Sequence, residues 1–309
     1  LLALGRREEA VAAWRRSLAL LETSRSPDHP SLGPPLNNLG AALRAQGRLD
    51  EARQYLQRAL AIFERSKGPD HPNTATALCA LGMVAYDAQN LEEALGYQRQ
   101  ALERIQRALG PDSPRTAAPL MYLGLVQHRM GQLDEARRHL LRALRLWEKE
   151  NGPDSATVNN ALLPLARLEL TAGSPQKALE YCQRALGNDE QVQGTDTPDM
   201  AVDLTCIAEA RLALGDAEQA VPLLERARRV HARAPRDPLD EAWGSFLLAR
   251  ALGEREPAVE LSRAAALAEE ARVQMSRLGT RARLELKQVM DWQERHPAPS
   301  SVAQKAGTP

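Results

Sequence analysis

Three short landmarks recur along this chain in constant phase, and that phase constrains the fold more than any other feature. The first reads Gly-Arg-Leu-Asp-Glu-Ala at Gly47–Ala52 and Gly-Gln-Leu-Asp-Glu-Ala at Gly131–Ala136. Weaker copies end at Ala10, Ala94, Ala178 and Ala220, so the closing alanines stand 42 residues apart each time. The second is Gly68-Pro69-Asp70-His71-Pro72, repeated as Gly110-Pro111-Asp112-Ser113-Pro114, with partial copies at Pro27–Pro30, Gly152–Asp154 and Gly194–Pro198. The third, Leu36-Asn37-Asn38-Leu39-Gly40, is echoed at Leu78–Gly82, Leu120–Gly124, Leu162–Ala166 and Leu204–Ala208. Self-similarity at this period marks units that cannot bury an apolar face alone and are completed by their neighbours.

Each unit reads as helix, tight turn, helix, loop. Asn73–Ala88 places Leu78, Leu81, Gly82 and Ala85 at i, i+3, i+4 and i+7, the spacing of one helical face. The Asp-x-Pro ahead of it is a start signal, with the Asp or its neighbour capping and Pro in the first turn. Gly47 and Gly131 end the first helices, because glycine tolerates the left-handed backbone of a C-terminal stop. Asp50-Glu51 and Asp134-Glu135 then put acid in the first turn of the second helix, where it complements the dipole. That helix spans about Leu49–Lys67 and carries Ala52, Leu56, Ala59, Leu60 and Phe63 on one face. Small residues at Gly40 and Ala52 let neighbouring helices approach closely.

Composition excludes several functions. Charge balances to zero, with 26% charged residues of both signs interleaved, and this argues against a nucleic-acid footprint, which needs a basic stripe. No apolar run approaches the roughly 18–20 residues of a membrane span. The chain lacks a glycine-rich phosphate loop, GxSxG, HExxH and any clustered metal ligands, so no catalytic, cofactor or metal residues are expected. Asp28-His29 and Asp70-His71 look like acid–base pairs, yet they recur in phase at inter-helix turns, where capping residues belong. Cys79, Cys182 and Cys206 are odd in number, with no CxxC or Cys/His ligand spacing. They are read as small packing residues of a reducing compartment. Arginine outnumbers lysine thirty-five to five, a codon signature of a GC-rich bacterial genome, and a cytoplasmic location is expected.

The order Leu-Gly, then Gly, then Glu-Ala, then Arg-Ala-Leu resembles the tetratricopeptide repeat. The 42-residue step with its GPDHP and LNNLG landmarks resembles the longer variant found in kinesin light chains. The resemblance covers roughly residues 1–233. It implies an all-α fold, a right-handed superhelical solenoid of stacked antiparallel helix pairs. The expected divisions are a partial repeat at 1–25, repeats at about 26–67, 68–109, 110–151, 152–193 and 194–233, a degenerate repeat at 234–279, a capping helix at 280–296 and a disordered tail at 297–309. Leu1–Leu4 look like the end of a first helix whose beginning is absent, so the chain is expected to be the C-terminal part of something longer. Pro164 is expected to kink its helix. After Pro235 the phase slips, Gly253 following Gly215 by 38 residues. Arg281–Arg295 places Ala282, Leu286, Val289 and Met290 on the apolar face of the capping helix.

The resemblance also implies a peptide-binding groove lined by the first helices. Its positions fall on Asn37 and Arg44, on Met83 and Tyr86, on Met121, Leu125, His128 and Arg129, and on Leu163 and Arg167. Asp87 and Glu209 are the acidic members of the same set. The mixture is partly apolar and mildly basic, which suits a protein or peptide partner of acidic character held by forked arginine contacts. The expected function is a non-catalytic interaction module, scaffold or sensor. Arrays of this kind with Arg/Ala-rich final helices look similar to those that follow bacterial serine/threonine kinase domains. The alternative context is the ligand-sensing arm of a transcription regulator or signalling ATPase. The residues fix neither the partner nor the oligomeric state.

Overall fold

Helices α1 to α14 account for the repeats, and the order of their starts and stops follows the landmarks. The computed structural model describes residues 7–193, 197–233, 237–254 and 258–297. The expectations on residues 1–6, on the middle of the Gly194–Pro198 landmark, on Pro235 and on the tail from 298 onward lie outside these. Among the described residues every regular element is helical, and the chain is an all-α repeat solenoid. It divides into two compact units, Leu1–Leu168 and Glu169–Pro309.

The first unit holds α1 (Arg7–Ser24), α2 (Gly33–Ala45), α3 (Leu49–Lys67), α4 (Pro72–Asp87), α5 (Leu91–Leu109), α6 (Ala117–Arg129), α7 (Leu133–Asn151) and most of α8 (Asn159–Thr171). Its hairpins α2–α3, α4–α5 and α6–α7 each close through a turn whose first helix ends as expected. Gly47 and Gly131 take φ of 76° and 78°, the left-handed region open to glycine. In the third repeat Gln89 takes that place at φ 63° and carries a Cβ there. Helix starts are capped by the residue just before the proline, not by the aspartate. His71 Nδ1 accepts from Asn73 N at 3.1 Å, His29 Nδ1 from Ser31 N at 3.2 Å and Ser113 Oγ from Arg115 N at 3.4 Å. The aspartates are ion-paired instead to the second helix of the hairpin that each loop leads into, Asp28 to Arg65 at 2.7 Å and Asp70 to Arg107 at 3.1 Å.

Two of the landmarks turn out to be two sides of one contact. A Cβ on Gly40 would sit 2.5 Å from Leu56 Cγ and 3.2 Å from the Ala52 carbonyl oxygen. One on Gly124 would sit 2.6 Å from Leu140 Cγ and 3.2 Å from the Ala136 carbonyl. The Leu-Gly glycine and the Glu-Ala alanine therefore recur together because the helices of each pair touch there. Gly82 faces Gln98 instead of leucine, and the buried Gln98 Nε2 donates to the Cys79 carbonyl at 3.0 Å. The arginine excess also acquires a physical role. Arg15–Glu51 (3.0 Å), Arg58–Glu22 (2.6 Å), Arg104–Glu64 (2.6 Å) and Arg53–Glu93 each tie one repeat to the next. Each exposed pair contributes little alone, about 0–1 kcal/mol.

The second unit holds α9 (Pro175–Gln193), α10 (Pro198–Ala213), α11 (Ala217–Arg233), α12 (Pro238–Gly253), α13 (Ala258–Arg277) and α14 (Arg283–Arg295). Pro164 lies inside α8 and Pro222 inside α11, and both helices continue past them. The capping helix presents a different face from the expected one. Ala282 and Val289 are fully buried, but Met290 is 47% exposed and Trp292 takes its place in the core. Within α14, Trp292 stands three residues after Val289 and so shares its buried face, whereas Met290 is one step round the helix from it. Phe246 meets Trp292 edge to face at 6.1 Å, and His296 stacks on the indole at 4.5 Å.

Cys182 and Cys206 form a disulfide between α9 and α10, with Cα atoms 5.7 Å apart. This corrects the reading of all three cysteines as free packing thiols. That reading stands only for Cys79, which is buried and whose thiol burial pushes up to about 12.

Candidate functional site

The ten expected groove positions all fall on α2, α4, α6 and α8, within residues 37–167. Helix periodicity places them there, because the Leu-Gly contact turns the opposite face of each first helix outward. The structure sorts them into three groups.

Asn37 opens on a cavity of about 470 Å³ whose walls include Cys79, Tyr122 and Trp147, with Arg115 and Glu150 also lining it. Its Oδ1 is shielded from solvent and has no hydrogen-bond partner. A buried acceptor left unpaired costs about 1–3 kcal/mol, so it favours any occupant that brings an N–H. Burial pushes the Tyr122 phenol above its usual range. Tyr122, Trp147, Arg115 and Glu150 are absent from the expected set. Tyr122 stands at the second Asn position of the landmark, one step round the helix from the carried-over positions. Trp147 and Glu150 come from the second helix α7, which the groove rule ignores.

Arg44 is committed within the face. Its guanidinium pairs with the buried Asp87 at 2.8 Å, joining α2 to α4. Two groove-facing residues 43 apart thus cancel each other, and the positive charge expected in the second repeat is neutralised.

The remaining charge gathers on α6 and α8. Arg129 lies over the Tyr86 ring at 5.3 Å, a cation–π contact between α6 and α4. His128 has its pKa lowered, first by burial and then by the charges of Arg129 and Arg167, which keeps its imidazole neutral near pH 7. Arg167 is exposed. The apolar members Met83, Leu125 and Leu163 are half-buried, whereas Met121 is only 9% exposed and serves packing first.

Among the described residues no group of three or more His, Cys, Asp or Glu side chains is placed to hold a metal ion. No described helix is long and apolar enough to cross a membrane.

Comparison with known proteins supports the helix-pair repeat fold. Nothing matches among curated protein sequences. The crystal structure of BtubC (BKLC) from P. vanneervenii superposes with a TM-score of 0.59 at 19% identity, over 74% of this chain and 92% of that one. A Podosopora anserina putative kinesin light chain with nearly identical TPR-like repeats gives 0.53 at 22% identity, over 68% and 99%. The apo form of RapI gives 0.65 at 18% identity, over 88% and 93%. At these identities the likeness shows the fold alone. The tetratricopeptide-repeat family profile matches residues 1–64, 32–104, 80–149, 115–191 and 154–233. With its helix pairs, its Leu-Gly against Glu-Ala contacts and these overlapping matches, the chain belongs to the tetratricopeptide-repeat family, a fold of protein–protein interaction scaffolds that is typically non-catalytic.

Proposed function

We propose that the first-helix face of residues 37–167 binds an extended peptide segment of a protein partner, and that the segment is acidic toward its α6–α8 end. The observation that carries this reading is the Asn37 Oδ1, a solvent-shielded acceptor without a hydrogen-bond partner, on a residue that lines the cavity. A peptide backbone N–H satisfies it, while an apolar side chain fills the space beside Tyr122 and Trp147. Arg129 on α6 and Arg167 on α8 supply the positive charge of this end of the face. Arginine meets carboxylate through a planar fork, which makes these two the anchors for acidic residues. We further propose that the chain works in the bacterial cytoplasm as the C-terminal interaction array of a larger signalling protein. Its Arg/Ala-rich final helices support that context.

The test is affinity capture with mass spectrometry, comparing the native chain with an Arg129→Glu, Arg167→Glu double variant and with Asn37→Ala. Partners held by the native chain and lost by both folded variants support the reading. Equal retention by all three moves the interface off this face.

A further inference from the structure

The seam between α9 and α10 is built unlike the equivalent seams of the first unit. In three earlier repeats one second-helix position is Phe63, Ile105 and Trp147, each buried and apolar. The fourth member of that 42-residue series is Asp189, 4% exposed. Its counterpart on the next first helix is Ala77, Pro119 and Ala161 in the earlier repeats and the fully buried Asp203 here. Leu56, Gln98 and Leu140 are likewise followed by Cys182. Cys182 and Asp189 lie seven residues apart on α9, while Asp203 and Cys206 lie three apart on α10, so each pair shares a helical face. The disulfide and the facing carboxyls therefore occupy one seam.

Part of the apolar surface of α10 faces helices other than α9. Ala201 and Leu204 cluster with Ala227 and Val230 of α11, and α9 adds only the partly buried Leu186 to that cluster. Ala208 and Leu212 join the core built with α11 to α14. Beside the bridge, this seam holds two buried acids, Asp189 and Asp203, which hydrogen-bond to each other only while sharing a proton.

We propose that this seam is a redox-controlled joint, in which the Cys182–Cys206 bond locks α9 to α10 and reduction by a dithiol releases them. Cys206, 9% exposed as a residue against 0% for Cys182, is taken as the side from which the reductant attacks. A thiolate of the dithiol bonds to it, the Sγ–Sγ bond breaks and Cys182 leaves as thiolate and takes a proton. The second thiol of the reductant then displaces Cys206, which is protonated in turn. Two electrons pass to the cysteines and the dithiol departs as its own disulfide. In a reducing compartment the joint rests open and closes on oxidation.

Hydrogen–deuterium exchange on the whole chain tests this, oxidised against treated with excess dithiothreitol, with α4–α5 as an internal reference. Reduction is expected to speed exchange in α9 and α10 on the order of a hundredfold, the scale of releasing a loop of this size, and to leave α4–α5 unchanged. The Cys182→Ala, Cys206→Ala double variant should exchange at the reduced rate whether or not dithiothreitol is present. Cys79→Ala should keep the full response. Unchanged exchange in α9 and α10, an equal change across all helices, or three free thiols in the denatured protein after oxidation overturns the proposal. If the double variant fails to fold, the oxidised and reduced native chains still decide it.

Discussion

Phe63, Ile105 and Trp147 occupy one repeat position in the first unit, and Asp189 and His231 occupy it in the second. All five are buried. The first three need only be kept from water, and burial of apolar surface satisfies them at any pH and in any redox state. The last two need partners. Asp203, facing Asp189, is pushed up to about 8, first by burial and then by the neighbouring charges of Asp189 and Glu190. His231 is 2% exposed, its pKa is lowered by burial, and neither ring nitrogen has a hydrogen-bond partner. The same repeat position is thus filled by unconditional contacts in one unit and by conditional ones in the other. A repeat fold specifies where helices meet, and leaves open which chemistry joins them.

The comparison is broken or sharpened most strongly at the end of the second unit. Trp292 closes its apolar core with Phe246, and Trp292→Ala should cost about 3–5 kcal/mol. Exchange in α12 to α14 should rise while α2 to α5 keep their protection. A loss spread evenly over the chain would mean that the two units do not unfold separately. Next comes the acid pair. Its raised folded-state pKa gives stability that is complete below the unfolded value near 3.8 and is lost as pH rises through about 8. Asp203→Asn removes that loss, so its stability should fall less than the native chain's between pH 5 and 8, and urea melts of the second unit would show it. Parallel pH profiles would mean that the pair does not hold its proton. The smallest effect belongs to the first unit, where Gln98 is the one polar exception in the Leu56, Leu140 series and its Oε1 is unpartnered. Gln98→Leu should raise stability by about 1 kcal/mol, through relief of an unpaired buried acceptor. A drop in melting temperature would instead mean that the hydrogen bond from Gln98 to the Cys79 carbonyl outweighs that relief.

Much of this was legible from spacing. The turn glycines, the helix over Leu49–Lys67 and the close approach at Gly40 and Ala52 follow from local chemistry repeated in phase. The caps were half-read, because Asp and His are adjacent and only backbone direction decides that the imidazole accepts. Long-range pairing was harder to read. The 24-residue spacing of Cys182 and Cys206 carries no connectivity by itself, although the phase already put them on consecutive helices. Asp203, set in the apolar run Met200–Leu204, was a signal that went unread. Arg44 and Asp87 were both assigned to the groove, yet their offset of one repeat plus one residue is that of neighbours. On α14 the pattern allows either Met290 or Trp292 beside Val289, and only the packing against Phe246 selects Trp292.

The arginine ladder bears on how such an array can lengthen. Arg53 and Arg58 reach acids one repeat away, and a second copy of residues 26–67 would set Arg53 against Glu51 and Arg58 against Glu64 at the new joint, recreating both kinds of pair. Copying residues 152–193 alone would place Cys182 opposite Pro164, with no thiol to meet it. Gene duplication can therefore extend the first unit one repeat at a time, whereas the cystine joint descends only as an intact neighbouring pair.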